Sequence, residues 1–227
     1  MNENQTAQRT SVRRNRVAAA ACFAAALLTA TVVGTQSATA DGAAQRAGAA
    51  ARPAVVAAPA LGSAALLQSE DLVRQGLKPV AATVELAGRQ GLSACSGETT
   101  MRDLTKGKAG AYASVNWTLA KDAMLTESAA SAATKTAATA WEKQLVALVQ
   151  DCQDEPAGHW YYGPAHTLTG TGGTARWYTS YNGDGAVSGG VAVLRSGTKV
   201  AVVELTGRPG PASFQNTAAA ALKRLSS

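Results

Sequence analysis

The chain has 227 residues, a formal charge of +6, only 5% aromatic residues, two histidines and three cysteines. Four of its 21 basic residues and one of its 15 acidic residues lie in positions 1–40, so the remainder carries +3. Lys106, Lys108, Arg176, Lys199 and Arg208 are scattered through that remainder rather than clustered, which argues against nucleic-acid recognition.

Arg9, Arg13, Arg14 and Arg16 precede an apolar run, Val17 to Val33, and the small-residue stretch Gln36-Ser37-Ala38-Thr39-Ala40. Charged, then apolar, then small is the order of a secretory signal. The run is about 17 residues and rich in alanine, short for a permanent span of roughly 20. Residues 1–40 are therefore expected to be a signal peptide cleaved after Ala40, with membrane attachment only through an uncleaved signal. Cys22 has too few apolar residues before it for a lipidation site and reads as part of the signal. Residues 41–60 are rich in Ala, Pro and Gly and cannot bury enough apolar area to offset chain entropy, so a disordered tether is expected there. Residues 61–227 have the size of one domain.

Ser69 to Gly76 carries a capping serine, acids in the first turn and a terminating glycine, which predicts a short helix. From Ala111 to Leu119 apolar and polar residues alternate, the pattern of a half-buried antiparallel strand. A long helix is predicted from near Ser128 or Ser131 to near Cys152, with Trp141, Leu145, Leu148 and Cys152 on one stripe. Turn residues at Gly170 to Gly173, Asn182 to Gly185 and Ser196-Gly197 then separate four strands, near 159–169, 174–181, 186–195 and 199–206. Ser213 caps a final helix with Phe214, Ala218, Ala221, Leu222 and Leu225 on one face. The predicted class is α+β: an antiparallel sheet of about five strands with the long helix and the C-terminal helix packed on one of its faces.

Cys95 and Cys152 are the only cysteines beyond the signal, an even number in an oxidising compartment, and read as a disulfide; two unpaired thiols or an intermolecular bridge are the alternatives. His159 and His166 match no metal-site spacing. There is no Gly-x-Ser-x-Gly elbow, and Gly170 to Gly173 lacks the lysine and helix of a phosphate loop. No catalytic residue, metal or cofactor is assigned. The uneven feature is the aromatic grouping of Trp160, Tyr161 and Tyr162 with Trp177, Tyr178 and Tyr181. Strand neighbours alternate, so some of these rings face outward or line a cleft, and the others join the core or form cross-strand pairs. If the long helix covers the face that holds Trp177, then Arg176, Tyr178 and one of Trp160 or Tyr162 border a ligand cleft on the other face, Arg176 offering a planar donor to an anion.

Five stretches resemble the PknH-like extracellular sensor domain family of actinobacteria. They are Leu66-Leu67-Gln68-Ser69-Glu70-Asp71-Leu72, Leu92-Ser93-Ala94-Cys95, the helix with Trp141 and Leu145 running into Cys152, Ala175-Arg176-Trp177, and Val193-Leu194-Arg195-Ser196-Gly197-Thr198-Lys199-Val200. The resemblance implies an α+β ectodomain with a cleft that binds an extracellular ligand and has no enzyme activity. Kinase-linked members carry two disulfides, whereas one cysteine pair follows the signal here. The expectation is an exported, non-catalytic, sensor-like domain acting on an extracellular small molecule or protein. A secreted protein-interaction or inhibitor-like domain and an unrecognised envelope enzyme are the alternatives.

Overall fold

The computed structural model describes residues 61–92, 98–156, 158–170, 172–207 and 209–227. All of them fall within one compact unit, Pro53–Ser227. The expected signal, tether and Cys95 lie outside the described residues.

A 3₁₀ turn, Ser63–Ala65, leads into α1 (Ser69–Arg74), β1 (Pro79–Glu85) and α2 (Met101–Leu104). Then come β2 (Ala111–Leu119), β3 (Met124–Ser131), α3 (Lys135–Gln150), β4 (Tyr161–Gly170), β5 (Gly173–Tyr181), β6 (Val187–Ser196), β7 (Lys199–Thr206) and α4 (Pro211–Leu225). The strands form one antiparallel sheet of seven in the order β1-β2-β3-β7-β6-β5-β4.

Two strands beyond the expected five account for the larger sheet. β1 is an edge strand of mostly small residues, exposed along most of its length, so it carries little alternation. β3 occupies the stretch where the long helix was expected to begin. Ser128, Ala129, Ala130 and Ser131 are small and favour a helix start locally, but between β2 and β7 all four are buried in the sheet. The β2–β3 hairpin turns through Lys121 and Asp122, whose φ values of 63° and 56° form the left-handed pair of a primed turn without the usual Asn-Gly. Helix α3 starts later, with the Thr134 side chain accepting from the Ala137 N–H.

The helices pack on both faces of the sheet, not on one. Ala192 and Leu194 of β6, Ala201, Val203 and Leu205 of β7, and Trp177 of β5 form one core with α1 and α4. The alternate residues Val191, Val193, Val200, Val202 and Tyr178 form a second core with α2 and α3. A strand sends successive side chains to opposite faces, so these are two layers on either side of the sheet. Gly190 makes the α4 layer possible: a Cβ there would lie 2.4 Å from the Phe214 ring.

Candidate functional site

Strand alternation places Thr174 and Arg176 of β5 on the α3 side of the sheet. Register brings Arg195 of β6 opposite Thr174 and Thr167 of β4 opposite Arg176. Helix α3 crosses this corner and contributes Thr139, Glu142, Lys143, Val146 and Gln150, enclosing with the strands an open depression of about 550 Å³. Such a volume is within the range of small-molecule sites.

The charges in the depression are unequal in their satisfaction. Arg195 Nε donates to Glu142 Oε2 at 2.6 Å, and the Thr174 hydroxyl donates more weakly to Glu142 Oε1 at 3.4 Å. Both members of the ion pair are largely sheltered, at 28% and 16% side-chain exposure, so the Arg195 guanidinium is held in place. Among the described residues, the side chains of Arg176 and Lys143 have no hydrogen-bond or ion-pair partner. The terminal nitrogens of Arg195 likewise have none.

A larger depression, about 760 Å³, lies between α1 and α4. Its main charges neutralise one another. Arg224 Nε meets Asp71 Oδ2 at 2.7 Å, its Nη2 meets Glu70 Oε1 at 2.5 Å, and Arg74 also pairs with Asp71. Burial works to raise the Asp71 pKa, but hydrogen bonds from Arg224, the Gln68 N–H and Arg74 hold it below the ordinary carboxylate value. This network fastens α1 to α4. The smaller depression, with its unpaired cations, is the better candidate for a ligand.

The sequence-based site residues separate in space. Arg176 is exposed and lines the depression. Tyr178 is two residues along the same face but fully buried in the α3 core, its hydroxyl without a hydrogen-bond partner among the described residues; burial pushes its pKa up, and Arg176 opposes that rise. Tyr162 is buried too, pairs with Ser180 in register and donates to Glu204 Oε1 at 3.0 Å. It sits about 13 Å along the strand from Arg176. Trp160 packs edge-on against Tyr162 at 4.5 Å, is half-buried, and donates from Nε1 to the Ser188 hydroxyl at 3.2 Å. The expected face assignment is thus corrected: α3 covers the face that holds Tyr178, and α4 covers the face that holds Trp177, where Trp177 stacks on His166 and meets Phe214 edge-on.

Glu142, Lys143 and Arg195 were not singled out from sequence, because a helix residue and a strand residue 53 positions apart meet only through packing. Cys152 is half-buried just beyond α3 and packs against the α3 core. Among the described residues no serine or threonine hydroxyl hydrogen-bonds to a histidine; His159 approaches Glu155 at 3.3 Å and His166 stacks on Trp177. No three His, Cys, Asp or Glu residues among them are grouped to hold a metal ion, and no described helix is long and apolar enough to cross a membrane.

No family model matches this sequence, and no curated protein matches it. Among solved structures, the chain is similar to the extracellular domain of PknH from Mycobacterium tuberculosis. The match has a TM-score of 0.51 at 13% identity and covers 72% of this chain and 93% of that one. At that identity the likeness is one of fold: this chain has a PknH-ectodomain-like α+β architecture.

Proposed function

We propose that the chain is an exported, non-catalytic, ligand-binding domain of sensor-like type that works in the cell envelope or the extracellular space. The observation that carries the reading is the depression under α3, where Arg176 and Lys143 face solvent without a partner beside a sheltered Arg195–Glu142 pair. Unpaired cations around a concavity of ligand size are placed to receive an anionic group of a ligand. The fold likeness to an extracellular domain supports the location, as does the charged, apolar, small-residue order of residues 1–40. Of the four residues read from sequence as ligand contacts, Arg176 is retained; Tyr178, Tyr162 and Trp160 act as the packed wall behind it and further along the sheet.

The test is a thermal-shift screen of the purified protein against neutral, cationic and anionic small molecules. A ligand bound to the native state alone at about 100 times its Kd stabilises by roughly 2.7 kcal/mol. At least one compound should raise the melting temperature and be recovered chemically unchanged. A compound recovered as a product would replace this reading with an enzymatic one.

A second reading, a protein-interaction domain, is favoured by the edge strand β1. Val80, Val84 and Leu86 are 70%, 49% and 59% exposed along an edge that has no neighbouring strand among the described residues. An exposed apolar edge pairs readily with an added strand. Sedimentation over a range of concentrations should then show self-association that Val84→Lys abolishes, and a monomer throughout removes strand pairing between copies.

A further inference from the structure

The depression under α3 has a charge and donor pattern that selects among ligands. This inference rests on the ligand-binding reading above and narrows it. Three cations, Arg176, Arg195 and Lys143, face one carboxylate, Glu142, and that carboxylate is already engaged by Arg195 Nε and the Thr174 hydroxyl. The local excess is therefore two positive charges around one concavity. A monoanion would leave half of it uncompensated, and a neutral ligand all of it.

The donors also have a particular form. Glu142 holds Arg195 through Nε, which leaves the two terminal nitrogens of that guanidinium for another acceptor. Arg176 brings a whole planar fork, and Lys143 a movable point charge from the next position on α3. Around them stand the Thr167 hydroxyl and the amide of Gln150, whereas the hydroxyls of Thr139 and Thr174 already donate to the Lys135 carbonyl and to Glu142. Guanidinium forks match oxyanions bidentately, and a phosphoryl group with several acceptor oxygens can take more of these donors than a carboxylate can. A phosphate monoester carries about −1.5 to −2 charges near neutral pH, which matches the excess. The volume, about 550 Å³, leaves room for an organic part against Val146.

We infer that this depression binds a small phosphate monoester, its phosphoryl group held between Arg176, Arg195 and Lys143. Calorimetric titration of the purified protein with glucose 6-phosphate, glucose, succinate and inorganic phosphate tests it, at two ionic strengths. Glucose 6-phosphate should bind, glucose should not, succinate should bind more weakly, and raising the salt should weaken binding. Arg176→Ala should weaken binding at least about tenfold, as loss of a charge-assisted contact does, with partial recovery in Arg176→Lys. Lys78→Ala, beside the opposite edge strand of the sheet, should leave affinity unchanged, and melting curves of all variants establish that they are folded. Equal affinity in folded Arg176→Ala, or equal binding of glucose and its phosphate, overturns the inference. Stabilisation by neutral compounds but by no phosphate ester overturns it while the ligand-binding reading stands. No response to any class of compound removes both.

Discussion

The backbone N–H of Leu67 donates to Glu127 Oε2 at 2.7 Å, joining the segment before α1 to the middle of β3 across 60 positions of sequence. Glu127 is wholly buried on the face covered by α1 and α4, and its other oxygen has no hydrogen-bond partner among the described residues. Burial pushes its pKa up to about 8; the Leu67 N–H opposes that rise, Asp71 adds to it and Arg224 reduces it.

The sign of the resulting pH dependence follows. With a folded-state pKa near 8 and an ordinary value of 4.5, the native state holds a proton that the unfolded chain has released between those values. Stability should therefore fall as pH rises from about 5 to about 8, by up to about 1.4 kcal/mol per pH unit from this group. Urea denaturation at several pH values reads the slope. Glu127→Gln, which keeps an acceptor for Leu67 without a charge to release, should flatten it; an equal slope in the variant would assign the dependence elsewhere.

Gly190→Ala should destabilise by about 1 to 3 kcal/mol, the usual cost of overpacking. The added methyl would meet the Phe214 ring, holding α4 away from β6. Phe214→Leu in the same chain should recover part of the loss, a coupling that a double-mutant cycle measures.

Non-reducing peptide mapping should recover Cys95 joined to Cys152. A bond closing a loop of about 60 residues stabilises by roughly 4 kcal/mol in the chain-entropy account, so Cys152→Ala should cost about 2 to 5 kcal/mol. Recovery of both cysteines as alkylated free thiols would exclude the bond.

Intact mass of the protein recovered from culture fluid should begin at Asp41, since Ala38 and Ala40 supply the small residues a signal peptidase requires. A mass that still includes Arg13 to Val33 would show an uncleaved signal.

The elements most legible in the sequence were those with their own period and punctuation. The β5–β6–β7 meander announced itself through Asn182-Gly183 and Ser196-Gly197, and α4 through the spacing of Phe214, Ala218 and Leu222. β3 was hidden because Ser128 to Ser131 has a helical composition that the neighbouring strands override. Arg176 was found because a lone cation among strand aromatics is visible in one dimension. Its companions Arg195 and Glu142 were not, since their meeting depends on where α3 crosses the sheet. Tyr178 and Tyr162 illustrate the converse: alternation gave Tyr178 its face, but only the packing of α3 determined that the face was closed.

The pairing of β3 with β7 also governs the order in which the sheet can be completed. β1, β2 and β3 are made as a contiguous unit, yet the strand that lies beside β3 ends at Thr206, 75 residues after Ser131. Until that strand is synthesised, the open side of β3 offers its amides and carbonyls to any extended chain nearby. β4 to β7, by contrast, pair with immediate successors and can zip together locally. Because distant contacts must overcome loop-closure entropy before they stabilise anything, joining the two halves should be the slow event of refolding. Material trapped before that event would associate through β3, so its yield should fall with protein concentration.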